Sequence, residues 1–267
     1  MNPLKLSIIT VTYNSKKYVE QTIKSVIDQN YGNVEYIIID GVSTDGTLDI
    51  IKKYEKNISK IICEPDNGIS DALNKGIKNA CGDIIGIIHS DDWYEPKIFN
   101  DVIEIFKNTN ADVVCGKVLY WLDEKPYYIF NSTPENLEYD MTVNHPSVFV
   151  KKSVYDRLGG FFGKYKYAMD YDLILRFKLN GCKFVSIDKI LANMRLNGIS
   201  DKNWFKTIFE NYTIKTKNGI SSYKAFTYMV FQTIRMCTSR LLEKVGLKFI
   251  VSFYRKYFSV LKKEKFK

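Results

Sequence analysis

The chain has 267 residues, 45% apolar and 26% charged, which is enough for one large α/β domain or one domain with an appendage and excludes a disordered chain. Five cysteines, at 63, 81, 115, 182 and 237, form no CxxC pair, so a disulfide framework or zinc ribbon is set aside and a reducing cytosol is expected. The net charge of +9 is uneven: residues 202–267 hold 15 Lys/Arg against 3 Glu, whereas residues 1–201 hold 24 basic and 27 acidic residues, so the basic character belongs to a tail and not to the acidic motifs.

The chain opens on MNPLKLSIITVTYNS. This stretch lacks the cleavage site and long apolar core of a signal peptide, and no stretch reaches the roughly 18 apolar residues that span a bilayer. Leu6–Thr12 is a β-branched run expected to form a buried strand. Val19, Ile23, Val26 and Ile27 share one helical face. Val34–Asp40 is a second strand, followed by a Ser/Thr/Asp/Gly turn and a helix with Leu48, Ile51 and Tyr54 aligned. Ile61–Cys63 is a short strand. Ile69, Leu73 and Ile77 mark a helix, with Gly82 just past it. Asp83–Ile88 is a strand that runs into His89-Ser90-Asp91-Asp92. Alternation of strand and helix predicts a mostly parallel sheet with helices on both faces, and ligands in such sheets bind at the carboxyl ends of the strands. Asp40 and the Asp91-Asp92 pair fall at such ends.

From 113 to 150 the pattern is strand-like and less regular: Val113–Tyr120, Tyr127–Phe130 and Ser147–Val150. A helix is expected over 168–180 and a short strand over 183–187. Beyond Ser200 the pattern is helical throughout. Trp204, Ile208 and Tyr212 align on a first helix. Tyr223, Phe226, Val230, Ile234, Cys237 and Leu241 align on a second, and Ile250, Tyr254, Tyr257 and Leu261 on a third. Lys248, Arg255, Lys256, Lys262, Lys263, Lys265 and Lys267 crowd this last stretch. The expected division is a catalytic domain over 1–201 and a basic amphipathic helical extension over 202–267. A basic face beside an aromatic-rich apolar face suits an anionic membrane surface. The alternative is packing on the catalytic domain or a second subunit, which leaves a homodimer open. Nucleic acid is not expected as a partner.

Two adjacent carboxylates at the end of a buried strand are costly unless something positive binds them. A divalent cation, Mg²⁺ or Mn²⁺, that also bridges a diphosphate fits Asp91 and Asp92; a solvated turn capping the next helix is the plainer alternative. Asp40 can accept hydrogen bonds from a base or ribose, or simply close the turn that follows it.

The segments SIITVTYNS, DGVSTDGT, EPDNGISDALNKGI, GDIIGIIHSDD and AMDYDLILR occur in that order over about residues 4–200. Together they resemble family-2 glycosyltransferases with the GT-A fold, of the bacterial group that builds O-antigen, capsule and other surface polysaccharides. The resemblance implies a nucleotide-sugar donor (a UDP-sugar favoured), a glycan or lipid-linked glycan acceptor, inversion at the anomeric centre, and a peripheral place on the cytoplasmic face of the inner membrane. It also implies residue roles. Thr12, Tyr13, Asn14 and Asp40 would line the nucleoside. Asp91 and Asp92 would form the metal and diphosphate site, with Asp92 the direct ligand. Asp170 would be the general base on the acceptor hydroxyl. Arg195 matches a loop that closes over the donor, where its guanidinium would meet the diphosphate. His145 and Trp93 would stand on the sugar side. The sequence departs from the family pattern at His89, where Asn is common, and at Met169-Asp170, where Glu-Asp is usual and Asp172 supplies the neighbouring acid. Residues two apart on a helix face different sides, so one hydroxyl is served by Asp170 or Asp172 and not by both.

Two other classes remain open. A sugar nucleotidyltransferase usually has a Gly-rich basic loop after its first strand, and VTYNSKKYVEQ has no glycine. An inactive nucleotide-sugar-binding scaffold subunit would have no need of Asp91, Asp92 and Asp170 together.

Overall fold

The computed structural model describes residues 3–196, 203–247, 250 and 261–266. Strands β1 (Leu6–Thr12), β2 (Val34–Asp40), β3 (Lys60–Cys63) and β4 (Ile84–His89) alternate with helices α1 (Val19–Ile27), α2 (Thr47–Lys53) and α3 (Ile69–Asn79), as the apolar spacing predicts. These strands pair in parallel in the order β3-β2-β1-β4. Both faces of the sheet are covered, which explains the near-continuous apolar runs. Leu6 and Ile8 of β1 and Tyr36 and Ile38 of β2 point to the side of α1, α2 and the later helix over Ile98–Asn108. Ile9, Val11, Ile37 and Ile39 point to the side of α3 and the later helix over Met169–Leu179.

After β4 come β5 (Trp93–Tyr94), α4 (Ile98–Asn108), β6 (Val113–Leu122), β7 (Lys125–Asn131), β8 (Phe149–Lys151), α5 (Lys152–Leu158), α6 (Met169–Leu179) and β9 (Phe184–Arg195). The sheet continues β4-β8-β6-β7, antiparallel at each step. β9 runs parallel to β6 and antiparallel to β5. It is far longer than the strand expected over 183–187. It crosses two register shifts against β6, between Cys115 and Val118, and exposed Asp188 and Lys189 interrupt its apolar pattern there.

Helices α7 (Trp204–Lys217) and α8 (Ser222–Lys244) follow. α7 packs on α6, burying Ile208, Asn211, Ile214 and Lys215. The stripe expected on α8 faces outward: Tyr223, Phe226, Val230, Ile234 and Leu241 are all exposed. The third tail helix is not confirmed. Tyr254 and Tyr257 lie outside the described residues, as do Lys248, Arg255, Lys256 and Lys267. Lys262–Lys265 form a strand, β10, which pairs antiparallel with β7.

Candidate active site

The carboxyl ends of β1, β2 and β4 open on one edge of the sheet. The loop after β1 is clasped to the loop after β2. Asn14, with a left-handed backbone (φ 48°), donates its N–H to Ser43 Oγ (2.9 Å) and accepts from the Thr44 N–H (2.9 Å) through Oδ1. The Ser15 N–H donates to Thr47 Oγ1 (2.8 Å) and the Lys16 N–H to Asp45 Oδ2 (3.0 Å). Asp40 is fully buried. Its two carboxylate oxygens accept from the Ser43 N–H (2.8 Å) and the Ser43 hydroxyl (2.6 Å), so it closes this turn. Tyr13 is 65% exposed beside Gly41, whereas Thr12 is buried with an unpartnered hydroxyl. A Cβ on Gly41 would come within 2.7 Å of Asp66 Oδ2, so a larger residue there would displace the end of the Asp66 side chain.

The acidic pair divides into unlike residues. Asp92 is only 3% exposed. Its Oδ1 accepts the Arg195 backbone N–H (3.2 Å), and its carbonyl accepts the Thr22 hydroxyl (2.6 Å). Burial, then the adjacent Asp91 charge, push its carboxyl well above the usual range. Asp91 is exposed. The resemblance implies Asp92 as the direct ligand; in the structure the accessible carboxylate of the pair is that of Asp91. The Arg195 guanidinium donates to the Asp91 carbonyl and to Gln21 Oε1 (2.7 Å), and pairs with Glu124 (3.3 Å). It lies over the Tyr18 and Trp93 rings, 4.1 and 4.5 Å from their centroids. Both expected ligand-contacting groups, Arg195 and Trp93, are thus engaged with the protein, where they clamp the acidic turn. This clamp depends on the far end of β9, beyond the strand legible in sequence. Trp93 also packs on Trp121 at 5.2 Å.

A second cluster was missed as a cluster in the sequence. His89 ends β4, His145 opens a 3₁₀ turn over 145–147, and Asp170 lies in the first turn of α6. One ligand atom from each lies within 4.8 Å of the others. His145 is buried between His89 and Phe161, with ring centroids 5.8 and 5.6 Å away. Its Nδ1 and Asp170 Oδ1 are buried without a hydrogen-bond partner. Burial drives the His145 imidazole down to about 4. It also lowers that of His89, with His145 adding to the effect, so both rings are neutral at neutral pH. Burial raises the Asp170 carboxyl, against a smaller opposing effect of His89. The result is a carboxyl poised nearer neutrality than an ordinary aspartate, as a proton acceptor requires. Two imidazoles and a carboxylate are also a donor set that suits transition metals. The signal for His89 was its place at a strand end before two acids; no spacing rule pointed to its meeting His145.

Asp172 is not part of this cluster. It is buried in an ion pair with Arg176 (3.3 Å) and accepts from Asn218 Nδ2 (3.4 Å). Arg176 in turn donates to the carbonyls of Leu158, Gly159 and Gly160. Asp172 thus holds α6 to its surroundings, and its carboxylate is engaged in this ion pair.

Residues 7–169 match the family model described as glycosyl transferase family 2. The chain is 31% identical over 208 residues to TuaG of Bacillus subtilis (strain 168), a protein named for teichuronic acid biosynthesis, covering 74% of this chain and 82% of that one. It is 31% identical over 248 residues to the UDP-Glc:alpha-D-GlcNAc-diphosphoundecaprenol beta-1,3-glucosyltransferase WfaP of Escherichia coli, covering 88% of this chain and 96% of that one. Among solved structures it resembles S. aureus TarS residues 1–349 in complex with UDP-GlcNAc, with a TM-score of 0.66 at 19% identity over 85% of this chain and 70% of that one. It also resembles the mannosyltransferase PcManGT from Pyrobaculum calidifontis in complex with GDP-Man and Mn²⁺, with a TM-score of 0.63 at 15% identity over 95% of this chain and 82% of that one. At these identities the structural likeness bears on the fold, which is GT-A.

Proposed function

We infer the reaction from one premise: the chain belongs to glycosyl transferase family 2. It is a glycosyltransferase of bacterial surface-polysaccharide synthesis. In the mechanism proposed here, a sugar passes from a nucleoside diphosphate to an acceptor hydroxyl by a single displacement that inverts the anomeric centre. The observation that carries this reading is an exposed Asp91 and a half-buried Asp170, whose Oδ1 has no hydrogen-bond partner, both close enough to His89 to act on its charge.

Tyr13, Asn14 and the turn that Asp40 closes receive the nucleoside. Asp40, fully buried and accepting from Ser43 and Cys63, acts by holding that turn in shape. Asp91 faces the diphosphate, with Asp92 and Arg195 fixing the turn that presents it. A divalent cation, Mn²⁺ or Mg²⁺, fits there because neither of the two adjacent acids is in an ion pair among the described residues: the Arg195 guanidinium donates to the Asp91 carbonyl and pairs with Glu124. Bound at that point, the ion supplies positive charge to the departing diphosphate. Asp170 takes the acceptor hydroxyl proton, in a pocket where neutral His89 and His145 orient the acceptor and exclude water.

A UDP-sugar donor and a lipid-diphosphate-linked glycan acceptor are favoured by the ligand of the TarS complex and by the name of WfaP. No helix among the described residues is long and apolar enough to cross a membrane. The outward apolar stripe of α8, with Lys224, Arg240 and Lys244 on the same helix, supports peripheral docking on an anionic bilayer, on the cytoplasmic face where nucleotide sugars are found. The test is UDP release from a panel of UDP- and GDP-sugars, with Mn²⁺, Mg²⁺ or chelator. Release that requires both a donor and a divalent ion supports the reading; no release from any donor, or release unaffected by chelator, defeats the reaction or the metal role respectively.

A further inference from the structure

Glu210 of α7 reaches across to the segment that leads into α6. Its Oε1 accepts the Lys166 N–H (3.0 Å), and its Oε2 accepts the Tyr167 (2.8 Å) and Ala168 (2.9 Å) N–H groups. Three consecutive amides are thus satisfied by one carboxylate from a different helix. The N-terminal N–H groups of a helix have no intrahelical partner, and α6 has no side-chain cap of its own: Ala168 occupies that position. Glu210 instead pins the three amides of the segment that ends at the N-cap residue Ala168, and it places negative charge near the positive end of the helix dipole.

The next residues are Met169 and Asp170. Asp170 Oδ1 has no hydrogen-bond partner among the described residues, so no bond at that oxygen fixes its position. Its placement against His89 and His145 is set by the backbone that Glu210 holds. α7 is a firm platform for this: Ile208 and Ile214 are buried against the body, and the buried Lys215 ammonium donates to the Tyr139 carbonyl (2.7 Å). Glu210 lies among the 15 Lys/Arg and 3 Glu of residues 202–267, a stretch that in sequence looks like a detachable basic tail.

We propose that Glu210 is a positioning residue for the Asp170 general base, which makes helix α7 part of the catalytic unit; this rests on the reading of Asp170 given above. Glu210→Gln keeps the shape but turns one acceptor oxygen into a donor that faces backbone N–H groups. Glu210→Ala removes the contact, and Glu210→Asp keeps the charge on a shorter arm.

The experiment has two arms on the full chain. The first is amide hydrogen exchange across residues 165–171. Faster exchange confined to this segment in Glu210→Gln and Glu210→Ala is expected; unchanged exchange overturns the proposal. The second is acceptor-free turnover of UDP-glucose and UDP-N-acetylglucosamine with Mn²⁺. Here water replaces the acceptor hydroxyl: the bond from the anomeric carbon to the phosphate oxygen breaks, a bond to the water oxygen forms, and Asp170 takes the proton. The expected result is a kcat reduced about tenfold or more in Glu210→Gln with the donor KM within about twofold, and partial recovery in Glu210→Asp, because misplacing a base affects the step and not the donor site. A kcat within about twofold of wild type, or a loss that falls on KM instead, overturns it. A wild-type protein that releases no UDP from either sugar counts against the glycosyltransfer reading, and hydrogen exchange then decides the Glu210 contact by itself.

Discussion

The two halves of the molecule build their parts of the site differently. In residues 6–92 the nucleotide-side groups sit on loops between neighbouring parallel strands, and each group is held by contacts within the same βαβ layer. Asn14 meets Ser43 and Thr44, and Asp40 meets Ser43. On the acceptor side the groups come from distant parts of the chain. His89, His145 and Asp170 converge from β4, a 3₁₀ turn and α6. The first half depends on local turn chemistry and the second on long-range packing. Damage to the second half should therefore affect stability and catalysis together more often than damage to the first.

The largest effect expected from this contrast is at Asp170. Asp170→Asn should lower turnover by roughly 10²–10⁴-fold while leaving donor affinity unchanged, measured by UDP release and by calorimetric titration of a UDP-sugar. Full activity in that variant would remove the acceptor-side half from the chemistry. Next is Asp91. Asp91→Ala should abolish the Mn²⁺ dependence of donor binding with the melting temperature little changed, because the side chain is exposed. Donor affinity that still responds to Mn²⁺ would return the ligand role to Asp92.

Asp172→Asn sharpens the comparison from the side of stability. Breaking a buried pair with Arg176 should cost about 3 kcal/mol, read as a lower denaturation midpoint, with kcat of the surviving folded protein close to wild type. A fully stable but inactive variant would restore Asp172 as a base.

A smaller effect concerns pH. His145 has a folded pKa of about 4 against about 6.5 unfolded, so the unfolded chain binds more protons between these values. Stability from this group is complete above about pH 6.5 and is lost as pH falls towards 4, by at most about 3 kcal/mol. Asp170, with its raised pKa, opposes this slope, so the informative quantity is the difference between wild type and His145→Gln across pH 4–7. A constant difference would show that His145 is not held neutral by burial.

The same contrast governs how much was legible in the sequence. β1 and β2 span the residues that their apolar runs mark, because parallel strands covered on both faces leave no polar interruption. The nucleotide-side groups and the acidic pair follow directly at those strand ends. β9 was legible only to its middle, since Asp188 and Lys189 break the pattern at the register shifts. Without its far end, the pairing of Arg195 with Asp92 and its stacking on Trp93 had no signal. The inward turn of Asp92 and the loss of Asp172 to Arg176 are matters of packing, on which a pair of neighbouring acids carries no information. α4 is different: Ile98, Phe99, Val102, Ile103 and Phe106 step at helical spacing, so its signal was present and went unassigned. β10 had none, because a Lys-Lys-Glu-Lys strand is defined by the backbone it pairs with and not by its side chains.

That last strand bears on solubility. β7, with Tyr127, Tyr128, Ile129 and Phe130, would otherwise present an aromatic ribbon with open N–H and C=O groups, a template for edge-to-edge growth between copies. Covering it with a strand of three lysines and one glutamate leaves an outermost edge on which a second identical strand meets like charge. Residues 262–265 thus act as a gatekeeper against self-association of the sheet, and their removal should show first as aggregation at high protein concentration rather than as loss of transfer.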